Sequence, residues 1–247
     1  MLVIAHRGAS GRAPENTLAS FKAALDIGVD GIELDVHLSR DGQLVVIHDA
    51  NLKRTTNGQG LVHEHTLAEL KRLDAGSWHS PAFAGEMIPS FEEVLDLVGK
   101  RVPLQVEIKG ATEGVTEATI AALDRRGLLD TVMMTSFQLK LLPLVRKLAP
   151  SVKIGALVWG RARTEDRSPM TPQECVAATR AAQADVMLLW HECVDAPRVA
   201  AARAAGIPVG VAGCTAKAED MRWVLSFGVV SMTTNYPDPC NEVVRAG

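Results

Sequence analysis

Polar residues gather where short apolar runs stop. His6-Arg7-Gly8, Glu33 with Asp35, His48-Asp49 and Glu107-Ile108-Lys109 each lie in or close such a run. In a parallel α/β fold the carboxyl ends of the strands form the active-site rim. Glu33 and Asp35 are two apart on one strand, so both side chains project to one face. Bare carboxylates there would be costly, and a hard divalent cation with oxygen ligands removes that cost. Glu107 can supply a third carboxylate. With no cysteine and no i,i+4 histidine pair beside them, the acids favour Mg2+ or Ca2+ over zinc. The bland alternative makes them exposed strand-end acids paired with Arg or Lys.

His6 and His48 form the natural acid/base pair, because imidazole titrates near neutrality. Arg7 can grip phosphate oxygens bidentately, and Lys109 can offset charge that builds on them. The set reads as a metal site with acid/base histidines and a phosphate clamp. Asn16, Asp49 and Arg54 are candidates for orienting or capping roles. His37 shares the strand face of Glu33 and Asp35. His63, His65 and His79 fall in a loop-rich stretch and read as solvent-facing, with lining of the substrate cleft as the alternative. Trp78, Phe83 and Phe91 can offer apolar surface, with core packing as the default.

The elements that must position these groups alternate. Leu2–Ala5 reads as a strand. Helical spacing over Asn16–Ile27 puts Leu18, Phe21, Ala24 and Leu25 on one face, with Asn16 or Thr17 as cap and Gly28 as stop. Gly31–Val36 alternates as a strand, Arg40-Asp41-Gly42-Gln43 is a hairpin-type turn, and Leu44–Ile47 is a buried strand. Residues from about 50 to 89 break the rhythm and read as an insertion on the rim. Ser90 with Glu93 forms a capping box. Further strands are expected at Pro103–Ile108, Val132–Ser136, Ile154–Val158, Val186–Leu189, Ile207–Val211 and Val229–Thr233. Nine candidates fit an eight-stranded barrel plus one hairpin strand. An open doubly wound sheet is the runner-up, weakened by the lack of a glycine-rich loop after the first strand.

The 247 residues suit one α/β barrel of ~250 residues. At 47% hydrophobic the chain can fill a sizeable core, which argues against global disorder. A net charge of -3 argues against nucleic acid as the main partner. It leaves room for an anionic small substrate beside a metal and two cations. Cys175, Cys193, Cys214 and Cys240 show no CxxC spacing and read as buried or incidental thiols. A chain that opens almost directly on a strand, with neither a leader nor a ~20-residue apolar span, points to a cytoplasmic protein without a stable membrane anchor. Oligomeric state is not readable.

The chain resembles the glycerophosphodiester phosphodiesterase family. The resemblance rests on His6-Arg7-Gly8 with Ala13-Pro14-Glu15-Asn16-Thr17, Glu33-Leu34-Asp35-Val36, and Asp41-Gly42 with Val46-Ile47-His48-Asp49. It also includes Leu52-Lys53-Arg54-Thr55-Thr56-Asn57-Gly58, Ile88-Pro89-Ser90-Phe91-Glu92-Glu93-Val94-Leu95 and Glu107-Ile108-Lys109. It implies a TIM barrel over residues 1–247 with a small insertion after the early strands. It implies hydrolysis of a small-molecule glycerophosphodiester to glycerol 3-phosphate and an alcohol, using Mg2+ or Ca2+. By position Glu33, Asp35 and Glu107 match metal ligands, His6 and His48 the acid/base pair, and Arg7 and Lys109 the phosphate-binding cations. Glu15 matches an acid expected near the site.

The C-terminal third departs from the pattern. Ala212-Gly213-Cys214-Thr215 stands where the family usually has Trp-Thr-Val-Asn. The last strand reads Gly228-Val229-Val230-Ser231-Met232-Thr233-Thr234-Asn235-Tyr236-Pro237 rather than Gly-Val-Asp-Gly-Ile-Ile-Thr-Asp-Arg-Pro. The expectation is intact chemistry in a reshaped pocket, with Trp190 filling part of the lost aromatic volume. The rival readings are the same chemistry on a lysophospholipid or other phosphodiester, and a non-catalytic barrel binding a metal, an anion or a partner.

Overall fold

The computed structural model describes residues 1–110, 112–159, 170–214 and 216–246. After β1 (Leu2–His6) come α1 (Leu18–Ile27), β2 (Gly31–Leu38) and β3 (Leu44–Val46). Between residues 47 and 90 the chain makes 3-10 turns and the one-turn α2 (Leu67–Leu70). Alternation then resumes with α3 (Phe91–Val98), β4 (Leu104–Ile108), α4 (Val115–Arg125), β5 (Val132–Ser136), α5 (Leu142–Leu148) and β6 (Lys153–Val158). It ends with α6 (Pro172–Ala181), β7 (Val186–Trp190), α7 (Ala196–Ala204), β8 (Val209–Cys214), α8 (Ala218–Ser226), β9 (Ser231–Thr234) and α9 (Pro237–Arg245).

The strands pair in the order β1, β2, β4, β5, β6, β7, β8, β9, and β9 pairs back onto β1, all parallel. This is the closed TIM barrel expected, and the open sheet is excluded. β3 hangs antiparallel on β2, joined by the turn in which the Ser39 and Gln43 backbones meet at 2.9 Å.

Local chemistry explains the boundaries. Thr17 caps α1, its hydroxyl accepting from the Ser20 amide, and Gly28 ends it in the left-handed conformation at φ 77°. Asn16, one of two candidate caps, instead sits outside the helix at φ 58° with its side chain on Asp35. Ser90 and Glu93 form the expected box at the start of α3. Ile207 was expected to open β8, but its amide is spent on the Ala202 carbonyl at the end of α7, so the strand starts at Val209. The short helix near Leu67 stops at Leu70.

Apolar residues settle into three groups. Ile32, Leu34 and Val36 of β2 face outward to the helices with Phe21, Phe91 and Val106. Leu157, Val186, Leu188 and Ala212 pack within the barrel. In the inserted segment, Leu52, Val62, Leu70, Ala75 and Ile88 form a small cluster with Val45 and Ile47. Lys71 reaches Glu93 of the α3 cap at 2.7 Å and ties that segment to the barrel. No helix among the described residues is long and apolar enough to cross a membrane.

Candidate active site

β2 is buried along its whole length, so the inward side chains of Glu33, Asp35 and His37 cannot escape to water. β4 pairs beside it with Asp35 opposite Glu107. Glu33, Asp35 and Glu107 each offer an oxygen within 4.8 Å of the others, all three residues being buried. Lys109 Nζ lies 2.6 Å from Glu107 and 3.2 Å from Asp35, and Arg7 Nε lies 3.3 Å from Asp35. Asp35 Oδ1 is buried and has no hydrogen-bond donor in good geometry. A buried set of three clustered carboxylates, one oxygen of which accepts no hydrogen bond beyond its ion pair with Lys109, fits a hard divalent cation.

Arg7 turns away from β1 at φ 56°, a conformation costing about 1–2 kcal/mol for a side-chain-bearing residue. The turn lets its amide donate to Glu33 (3.0 Å) while its guanidinium meets Asp35 and Glu15 (2.8 Å). Asn16 closes the other side of Asp35, donating to Oδ2 at 2.7 Å.

The two histidines have different supports. His6 Nδ1 lies 2.5 Å from Asn235 Oδ1, a neutral amide acceptor. His48 Nδ1 lies 2.6 Å from Asp49, a carboxylate. His37 Nε2 lies 3.1 Å from the His48 carbonyl, which places it behind that residue. Arg54 grips both Asp49 and Glu15. The roles of Asp49, Arg54 and Glu15 as neighbours of the site thus have a geometric basis.

Charge differs sharply within this small volume. Burial raises Glu33 well above the usual carboxylate range, and the charges of Asp35 and Glu107 add to it. Burial also lifts Glu107 to about 7, against the pull of Lys109. Burial acts the same way on Asp35, but Lys109 and Arg7 override it and hold that carboxyl far below its usual value. Burial and then Arg7 push His6 down to about 3. Burial lowers His48 too, with Asp35 and Asp49 opposing.

His6, Arg7, Glu33, His48, Glu107 and Lys109 line a cavity of about 220 Å³. Phe137, Leu157, Trp159 and Trp190 also belong to its lining, with Lys109 Nζ 5.7 Å from the Phe137 ring centroid. Trp159 stacks on Trp190 with ring centroids 4.9 Å apart. A bulge between β8 and β9 leaves Gly213 unpaired at φ 78°, and a Cβ on it would fall 2.5 Å from the Trp190 ring. The Trp190 ring therefore rests against bare backbone beside Ala212, where the expected aromatic volume is absent. Thr215 and the side chain of Cys214 lie outside the described residues.

Sequence reasoning gave Asn235, Trp159 and Gln105 no role. Gln105 is buried in the cavity wall with its carbonyl oxygen unpartnered, and its spacing of two from Glu107 was the available signal. Asn235 had a weaker signal, its place just beyond the last strand. Phe91 is fully buried core, whereas Trp78 is exposed and Phe83 lies beside it across His79. His65 binds the Gln59 carbonyl in the inserted segment, away from the cavity lining.

Comparison with known proteins agrees with this architecture. The model of the glycerophosphoryl diester phosphodiesterase family matches residues 6–239. A glycerophosphodiester phosphodiesterase of Bacillus subtilis (strain 168) is 34% identical over 261 residues, covering 99% of this chain and 87% of that protein. One from Caldanaerobacter subterraneus subsp. tengcongensis is 49% identical over 160 residues, 63% of this chain, and the match spans 66% of that relative's length. The structure of an Oleispira antarctica phosphodiesterase in complex with the product sn-glycerol-3-phosphate superposes with a TM-score of 0.85 at 30% identity, covering 99% of this chain and 97% of that one. The chain belongs to the glycerophosphoryl diester phosphodiesterase family.

Proposed function

We propose that this chain hydrolyses glycerophosphodiesters to glycerol 3-phosphate and an alcohol. The observation that carries the reading is the convergence of a buried carboxylate trio, two histidines and two cations on one cavity. The product complex of the Oleispira antarctica relative supports the same substrate class.

Glu33, Asp35 and Glu107 would hold Mg2+ or Ca2+. When bound, such an ion polarises the phosphate and offsets its charge. Arg7 grips a phosphate oxygen while Glu15 and Asp35 fix its guanidinium. Lys109 neutralises charge that develops at phosphorus. With Asn235 Oδ1 accepting a hydrogen bond from His6 Nδ1–H, the Nε2 lone pair is left to act as base. It takes the proton of the attacking hydroxyl. The Asp49 carboxylate at His48 Nδ1 opposes the lowering of that ring by burial and orients it, so His48 is the group we assign to protonate the departing alkoxide.

The aromatic part of the cavity lining gives the alcohol an apolar surface. Coupled detection of glycerol 3-phosphate from a panel of diesters, with EDTA and then with Mg2+ or Ca2+, tests the reaction. Metal-dependent release is expected. Its absence from every diester, with metal bound, rules the reading out. His6→Ala and His48→Ala should each lose roughly 10²-fold or more in turnover, and near-normal turnover in both defeats their assignment.

A further inference from the structure

Arg54 belongs to the inserted segment, yet its guanidinium spans two carboxylates of the site. Nε and Nη2 donate to Asp49 at 2.6 and 3.2 Å, and Nη1 and Nη2 donate to Glu15 at 2.9 and 2.8 Å. Asp49 in turn accepts a hydrogen bond from His48 Nδ1, and Glu15 holds Arg7. A continuous chain of charge-assisted contacts therefore runs from His48 through Asp49, Arg54 and Glu15 to Arg7. A planar fork with several fixed donors holds both carboxylates by paired, directed hydrogen bonds, which the point charge of a lysine does not reproduce.

The contacts are poor candidates for a purely stabilising role. Arg54 is 43% exposed, where ion pairs contribute little to folding. What it can supply is orientation. Without it Asp49 is free to turn from the His48 ring, and Glu15 keeps only one of its two arginines. Misplacement of a reacting group by about 1 Å can cost 10²-fold in rate.

We propose that Arg54 is a positioning residue that sets His48 through Asp49 and Arg7 through Glu15, so that the inserted segment completes the active site. The proposal rests on the phosphodiesterase reading for its kinetic consequences.

The test uses the full chain with Arg54→Ala and Arg54→Lys. Two diesters serve as substrates: glycerophosphocholine, whose alkoxide needs a proton, and the glycerol phosphate diester of p-nitrophenol, whose leaving group does not. Arg54→Ala should lose roughly 10²-fold in kcat on the first and less than about tenfold on the second. Guanidinium at tens of millimolar should restore activity to Arg54→Ala and leave His48→Ala unchanged. Arg54→Lys should stay impaired, and melting temperatures should match that of the unsubstituted chain. Arg54→Ala within about threefold of the unsubstituted chain, or an equal unrescued loss on both substrates, overturns the proposal. A readout independent of turnover is the downfield proton resonance of the His48–Asp49 hydrogen bond. It should be sharp in the unsubstituted chain and lost in Arg54→Ala. Its persistence there refutes the positioning role, whereas an unsubstituted chain that cleaves neither diester refutes the phosphodiesterase reading.

Discussion

Divalent-metal binding should be strongly linked to pH, because two of the proposed ligands, Glu33 and Glu107, hold protons when no cation neutralises them. Burial lifts Glu107 to about 7 and raises Glu33 well above the normal range. A carboxyl group must lose its proton to coordinate a cation. One ligand with a value near 7 therefore makes apparent affinity fall about tenfold for each pH unit below 7, and Glu33 steepens the dependence. The sign follows directly: affinity rises with pH, and binding releases protons. Stability runs the other way without metal. Glu107 titrates higher when folded than the usual 4.5, so its contribution is full below about 4.5 and is lost as pH rises through about 7. A metal-free sample should thus lose thermal stability between pH 5 and pH 7.5 from this group, and added Mg2+ or Ca2+ should recover it. Isothermal titration in two buffers of different ionisation enthalpy at pH 6.5 measures the protons released. Affinity that is flat between about pH 5.5 and 8, with no proton release, would refute the electrostatic reasoning.

Two other substitutions probe what closure of the barrel supplies. Asn235→Leu removes the acceptor for His6 and should lower kcat by about 10- to 100-fold. Asn235→Asp keeps the acceptor and adds a charge that favours imidazolium, so it should retain more activity and raise the His6 value from about 3. Equal kcat for Asn235→Leu and the unsubstituted chain counts against the His6 assignment. Gly213→Ala forces a side chain into left-handed backbone and against Trp190, and should cost about 2–5 kcal/mol. Urea denaturation checks it, and a loss below about 1 kcal/mol means the ring yields readily.

Much of this molecule is legible in local sequence. The period-two pattern of Gly31–Val36 tells that Ile32, Leu34 and Val36 share one face and that Glu33, Asp35 and His37 share the other. The Ser90–Glu93 box and Gly28 mark helix ends because capping is a matter of neighbouring residues. The count of strands was also readable, since alternation of short apolar runs with helical stretches repeats along the chain.

Local pattern along the chain therefore carries the set of elements, the reactive side chains at strand ends, and the oxygen-rich character of the proposed metal site. Which groups stand next to one another is settled by the closed barrel. Asn235 reaches His6 across a separation of 229 residues because β9 closes onto β1. Arg54 meets Glu15 because the insertion folds back over the loop after β1. Trp190 lies on Gly213 because a bulge shifts the β8 register beside it. The protonation of Glu33 and Glu107 likewise depends on burial among charges from several strands. Spacing along a chain encodes faces and caps, which are short-range. Closure, register and dielectric surroundings arise from contacts between distant segments, and those exist only once the barrel has formed.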